Sequence, residues 1–256
     1  MGGLLAAIGL LTTLPVPGRR SVDLSPGAVR WFAPVGLFLG CLLALVSACA
    51  HWAWPAPVAA AVVIAAWAVA TGALHLDGLA DTADAAFASV SRERRLEILR
   101  DVHHGTFGIA AITILLLLKW VALAALPGRE AAAAIIVACV SGRAALLPIL
   151  SRFSSPRPGG MAATMRAGAT SLATAAGIAV TLGVGLFTGG LAGMGIAAFV
   201  TVASLLEAWW LARRFGGISG DACGAIVETG EMLTLLAMSA LANHGWMHAF
   251  PFGPAA

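Results

Sequence analysis

The chain has 256 residues, of which 60% are hydrophobic and 11% charged, and its mean hydropathy is +0.93. Soluble domains carry charge on about a quarter of their residues, so a water-soluble globular fold is excluded. Several apolar runs approach the ~20 residues that cross a ~30 Å hydrocarbon core. The expected fold class is therefore all-α, a polytopic membrane helix bundle of about seven transmembrane helices. No stretch is long and polar enough to fold separately, so residues 1–256 are read as a single membrane domain. The four cysteines include no CxxC pair, which suggests neither a zinc site nor a disulfide framework.

In chain order, "MGGLLAAIGLLTTLPVPGRR" is not expected to act as a signal peptide, because its basic residues follow the apolar run instead of preceding it. Its first ~14 residues are too short to cross comfortably and predict a short or re-entrant helix. A polar connection follows over 18–27. Spans are then predicted at roughly 31–52, 56–75, 107–126, 131–150, 171–188, 191–211 and 225–243, with ends good to about 2–4 residues. Tryptophans at Trp31, Trp52, Trp54 and Trp246 suit helix ends at the membrane interface.

Seven spans put Arg19, Arg20, Arg30, Arg92, Arg94, Arg95, Arg100, Arg152, Arg157, Arg166, Arg213 and Arg214 on one side. These are twelve of the fifteen Lys and Arg residues. The positive-inside rule makes that side cytoplasmic, with the N-terminus inside and the C-terminus outside. The net charge of +3 thus reports topology, and no nucleic-acid partner is expected.

The acidic residues gather on the same side. In "TGALHLDGLADTADAAF" (71–87), Asp77, Asp81 and Asp84 are spaced i, i+4, i+7, one stripe of a helix. Three like charges on a stripe repel one another, and a divalent cation removes the penalty. Magnesium takes few carboxylates and completes its shell with water and phosphate oxygens. A second cluster lies in "GGISGDACGAIVETGE", where Asp221, Glu228 and Glu231 again fall near one stripe. Gly217 and Gly220, at its start, let backbone N–H groups approach an anion. Glu228 and Glu231 sit inside an apolar span, where carboxylates mark function by default. Three partners are open to them: a second magnesium shared with Asp221, a substrate hydroxyl with Glu228 as general base, or ion pairs with Arg143 or Arg214.

The third cluster is "RDVHHGTFG" (100–108). Gly105 and Gly108 bracket Thr106 at a helix start, a place that favours phosphate. Arg100 adds charge, and His103 and His104 can act as bases, donors or ligands. Together the three clusters suit a polyanionic, metal-complexed substrate such as a diphosphate. A transporter keeps its charges near mid-membrane, whereas these crowd one surface, which favours an enzyme.

The segments "GALHLDGLADTADA" (72–85), "ILRDVHHGTFG" (98–108) and "FGGISGDACGAIVETGE" (215–231), with "LTTLPVPGR" (11–19), resemble the cobalamin synthase family of adenosylcobinamide-GDP ribazoletransferases. Val102 and His103 stand where family members often carry serine or proline and arginine. The resemblance implies a magnesium-dependent transfer in a bacterial cytoplasmic membrane. Adenosylcobinamide-GDP is attacked by a ribose hydroxyl of α-ribazole or its 5′-phosphate, GMP leaves, and adenosylcobalamin or its 5′-phosphate forms. Carried onto this chain, it implies Asp77, Asp81, Asp84, Asp221, Glu228 and Glu231 as metal ligands. Asp81, Asp84, Glu228 and His104 become catalytic residues. His75, Arg100, Gly105, Thr106, Gly108, Gly217, Gly220 and Arg143 become contacts to substrate or phosphate. Partners are the two substrates and the lipid bilayer, with room for other nucleotide-loop enzymes and a second copy of the chain.

Two alternatives are weighed. "DGLADTADA" echoes the CDP-alcohol phosphotransferase signature, but Asp81 stands where that family wants arginine, and the signature's glycine-containing second half is missing. A divalent-metal transporter with acidic sites is the other.

Overall fold

A computed structural model of the chain describes residues 2–16, 25–101, 103, 105–156 and 159–245. Every regular element among them is helical. The helices are α1 (Gly2–Leu11), α2 (Phe32–Ala53), α3 (Ala56–Thr71), α4 (Leu74–Phe87), α5 (Arg92–Ile98), α6 (Thr106–Ala124), α7 (Gly128–Ala144), α8 (Leu146–Arg152), α9 (Met161–Arg166), α10 (Ser171–Phe215) and α11 (Gly220–Asn243). A 3₁₀ turn, Pro26–Trp31, leads into α2.

Five helical stretches among the described residues are long and apolar enough to cross a membrane, and a sixth is counted if α3 and α4 form one broken span. The expectation of about seven is met by folding α10 back on itself. Gly190 has φ 61° and ψ −152°, a conformation only glycine adopts readily. A Cβ added at Gly185 would come within 2.6 Å of the Gly193 carbonyl oxygen. Eight residues of straight helix rise about 12 Å, so that contact requires a reversal. The two legs, 171–189 and 191–215, match the two spans expected there.

The polar end of α3 departs from expectation. The predicted span ran through residue 75, but α3 stops at Thr71 and α4 leaves it at 89°. Gly72 (φ 61°) and Ala73 (φ 55°) both adopt the left-handed conformation at the corner. Thr13 braces it, donating its N–H to the Ala70 carbonyl at 2.8 Å. Residues beyond the expected span therefore lie on a separate helix that packs across α6 and α11.

The bundle is held by α7, most of whose residues are buried. Gly36 and Gly40 of α2 let that helix approach α7 closely: a Cβ at Gly40 would meet the Ile136 Cα at 2.8 Å. Close contact through small residues is how membrane helices associate.

The segments that carry the arginines converge on one end. Ile218 N–H donates to the Ser154 carbonyl at 2.8 Å. Arg92 Nε donates to the Phe215 carbonyl at 3.0 Å, closing the end of α10. Arg95 Nη1 donates to the carbonyls of Ala85 and Ala86 at 2.7 and 2.6 Å, and Arg214 Nη1 reaches Ala86 at 2.5 Å. Three of the arginines thus cap helix C-termini, where cations are favoured by the orphan carbonyls and the helix dipole.

Candidate active site

The acidic stripe forms on α4 as its spacing predicts, and its three carboxylates receive different neighbours. Asp84 faces α6. Its Oδ2 accepts the Gly105 N–H at 2.6 Å and its Oδ1 accepts the Gly108 N–H at 2.9 Å. It acts as an N-cap supplied by another helix, satisfying two of the donors that a helix start leaves free. A Cβ at Gly105 would lie 2.5 Å from Asp84 Oδ1, and one at Gly108 would lie 2.6 Å from Oδ2. Glycine at these two positions therefore seats a carboxylate. Thr106, at the same start, is exposed.

Asp77 and Asp221 come together from distant parts of the sequence. Gly78 of α4 packs on the backbone of Asp221 in α11, so closely that a Cβ there would meet the Asp221 carbonyl oxygen at 2.7 Å. One turn along, Gly224 packs on His75 and Gly78. Both aspartates line an open cavity of about 210 Å³, with His75, Ser219 and Gly220 beside them. Asp77 is exposed and Asp221 half-buried, so they stand at its rim. The inner wall is apolar, formed by Leu11, Phe32, Leu146, Leu150 and Met165, all buried. The Ser219 hydroxyl caps α11, accepting the Ala222 N–H at 3.1 Å. Asp81 is half-buried on the same stripe.

Glu228 and Glu231 lie deeper and meet cations. Lys119 Nζ of α6 donates to Glu228 Oε2 at 2.6 Å and to Glu231 Oε2 at 2.5 Å. Arg143 Nη1 of α7 donates to Glu231 Oε1 and, at 3.2 Å, to the Cys139 carbonyl. All four side chains are 5% exposed or less. Two cations balance two anions, which is how charge survives in an apolar bundle. Of the partners open to these glutamates, the structure supplies ion pairs. Glu228 and Glu231, expected as metal ligands, face Lys119 and Arg143, and Arg143, expected as a substrate contact, is a buried partner of Glu231. Arg214, the other arginine weighed, goes to Ala86.

Sequence reasoning missed Lys119 as a partner. Its signal was available: a lysine inside an apolar run must find an anion, and Glu228 and Glu231 lay inside another apolar run. The Trp67 ring lies 4.8 Å from its Nζ, a cation–π contact that helps hold it.

The remaining expected residues divide clearly. Gly217 is buried against Ser154–Pro156, with the Pro156 nitrogen 2.8 Å from an added Cβ, and is not among the residues lining the cavity. Arg100 is exposed just past α5. His103 is exposed, and its Nδ1 lies 2.9 Å from Asp101 Oδ1, which holds the Asp101 carboxyl below its usual range. His104, read as catalytic, lies outside the described residues.

Among the described residues, no group of three or more His, Cys, Asp and Glu side chains is arranged to hold a metal by itself. The two rim carboxylates are nonetheless the donor set that magnesium uses with a phosphorylated substrate, one or two carboxylates with phosphate and water completing the shell.

Comparison with known proteins identifies the family. The cobalamin-5-phosphate synthase family model matches residues 3–239. An adenosylcobinamide-GDP ribazoletransferase of Roseiflexus sp. (strain RS-1) is 38% identical over 236 residues, covering 91% of this chain and 87% of that protein. One from Herpetosiphon aurantiacus is 37% identical over 248 residues, covering 94% and 97%. One from Pseudomonas entomophila is 36% identical over 243 residues, covering 91% and 96%. No solved structure matches the chain. With the match running through the α4 stripe, the α6 start and the α11 cluster, the chain belongs to the cobalamin-5-phosphate synthase family, and it is a membrane-helix transferase of cobalamin biosynthesis.

Proposed function

We propose that the chain carries out the reaction its relatives are named for, joining adenosylcobinamide-GDP to α-ribazole or its 5′-phosphate and releasing GMP. The observation that carries this reading is the meeting of Asp77 on α4 and Asp221 on α11 at one cavity rim, at the end of the bundle where the arginine segments gather. A ribose hydroxyl forms a bond to the phosphorus beside the cobinamide, the bond from that phosphorus to the oxygen of GMP breaks, and the hydroxyl proton departs.

Asp77 and Asp221 would hold magnesium against the substrate diphosphate, with Asp81 the next carboxylate on the stripe. When bound, the ion would neutralise phosphate charge and support the departing GMP. The chain's own residues contribute positioning. The rim places polar groups where phosphates enter, and the apolar wall keeps water from competing with the hydroxyl. Glu228 is not used as the base in this scheme, because Lys119 occupies its carboxylate.

The same reading puts the cavity in the cytoplasm of a bacterial cell, since basic loops stay inside and both substrates are water-soluble. The test is GMP release from the GDP-activated corrinoid by purified protein in lipid. Release should require both α-ribazole and magnesium. Metal flux in vesicles without nucleotide chemistry would favour a transporter and defeat the reading.

A further inference from the structure

The cavity is built for one of the two substrates more than the other. Its buried wall is Leu11, Phe32, Leu146, Leu150 and Met165, and its exposed rim carries Asp77. An apolar chamber with few polar groups selects an apolar ring and fixes its orientation by those groups. A guanine base offers a carbonyl, an amine and ring N–H groups. Inside this wall most of them would lose water and gain nothing, which costs free energy for each unpaired group.

Ser155 and Ser219 also line the cavity, and one imidazole stands beside its apolar wall. His75 is 4% exposed, lines the cavity, and its Nδ1 has no hydrogen-bond partner among the described residues. Buried polar atoms are normally paired, so an imidazole with an unpaired ring nitrogen at a cavity wall is free to turn toward a ligand atom. Among candidate rings, a benzimidazole bonded to ribose through one nitrogen has a single polar edge atom, its other ring nitrogen, which only accepts. One donor from an imidazole satisfies it.

We propose that this cavity is the seat of the attacking nucleoside: the apolar fused aromatic base of the ribazole lies against the Leu11–Phe32–Leu146–Leu150–Met165 wall, with its free ring nitrogen hydrogen-bonded to His75. The ribose then extends toward the rim, where Asp77 and Asp221 stand and the diphosphate arrives. The guanosine and the corrin ring stay outside the chamber. This inference rests on the transferase reading above. It adds a binding role for His75 toward one substrate and a basis for base selectivity.

The test uses purified protein in lipid nanodiscs with magnesium and saturating GDP-activated corrinoid. GMP release is measured with two nucleophiles, the α-riboside of dimethylbenzimidazole and the α-riboside of adenine. The benzimidazole should win in kcat/KM by at least about tenfold, since adenine's amine and extra ring nitrogens find no partners in the wall. His75→Phe should raise KM for the benzimidazole riboside about tenfold or more and leave KM for the GDP-activated corrinoid within about twofold. Equal kcat/KM for the two nucleosides in the unaltered protein would overturn the proposal without needing any variant to fold. A KM increase in His75→Phe that falls on the corrinoid would overturn it too. GMP release with neither nucleoside would instead bring down the transferase reading, and this inference with it.

Discussion

Lys119 in α6 and Glu231 in α11 are 112 positions apart and share a 2.5 Å ion pair inside the bundle. Glu231 also holds Arg143 of α7, and Lys119 also holds Glu228. The pair therefore sits at the junction of three spanning helices. Its consequence is rotational. Glu228 and Glu231 are close to one face of α11, so tying them to α6 and α7 fixes which face of α11 turns toward α4, and hence where Asp221 stands.

Removing Lys119 should expose this coupling. Lys119→Met leaves a buried net negative charge, and breaking a buried pair this way costs about 3–5 kcal/mol. The melting temperature in detergent should fall sharply. The double variant Lys119→Met/Glu228→Gln restores neutrality and should recover a large part of the loss. Thermal unfolding of the two, side by side, decides it: a double variant no more stable than the single one would mean that charge balance is not what the four residues provide.

The aspartates of α4 and α11 should separate into two kinds. Asp84→Ala removes an acceptor shared by two backbone N–H groups and should cost about 1–2 kcal/mol, as lost helix caps do. Asp77→Ala and Asp221→Ala touch the cavity rim, so they should cost turnover far more than stability, abolishing activity in a protein that still folds. Raising magnesium should recover part of any residual activity. Normal turnover in Asp77→Ala would remove the rim from the chemistry.

Much of this architecture could be read from the sequence, for identifiable reasons. Apolar runs gave the spans because burial in lipid is written in hydropathy. The two legs of α10 were separable because glycines at 189 and 190 interrupt the run. The Asp77–Asp81–Asp84 spacing correctly put those residues on a helix. What was not legible depends on contacts between distant segments. Gly72 marks a helix end, but nothing local marks the second left-handed residue, Ala73, or the brace that Thr13 supplies to the Ala70 carbonyl from another segment. The α6 glycines looked like a phosphate loop because their partner, the Asp84 carboxylate, comes from 21 residues away. A helix start binds any anion, and sequence alone cannot say which.

The proposed cytoplasmic placement of the cavity end, where the arginine segments gather, predicts a labelling pattern. A cysteine reporter at Ser91, between α4 and α5, should resist an impermeant maleimide added to intact cells and react once the membrane is opened. A reporter at Trp54, exposed between α2 and α3 at the far end, should react from outside. The opposite pattern would put the cavity outside the cell and contradict the cytoplasmic reading.

The contact between Gly78 and Asp221 offers the most direct test of the two-helix site. A Cβ at Gly78 meets three backbone atoms of Asp221 at 2.7, 3.1 and 3.3 Å. Backbone in the middle of two packed helices has no rotamer to change, so the methyl of Gly78→Ala must push α4 away from α11. Overpacking of this kind costs about 1–3 kcal/mol. The same displacement moves Asp77 away from Asp221, so turnover should fall by far more than the stability loss implies. At about 1–3 kcal/mol the folded fraction at assay temperature changes little, yet misplacing catalytic groups by an ångström costs about a hundredfold. Gly183→Ala is the control. Gly183 lies in a leg of α10 with nothing within 4 Å of an added Cβ, and alanine is the better helix former by up to about 1 kcal/mol. That variant should melt at the same or a higher temperature with full activity. If Gly78→Ala lost stability yet kept its turnover, Asp77 and Asp221 would not need their close approach, and the shared rim would be a packing feature and not a catalytic one.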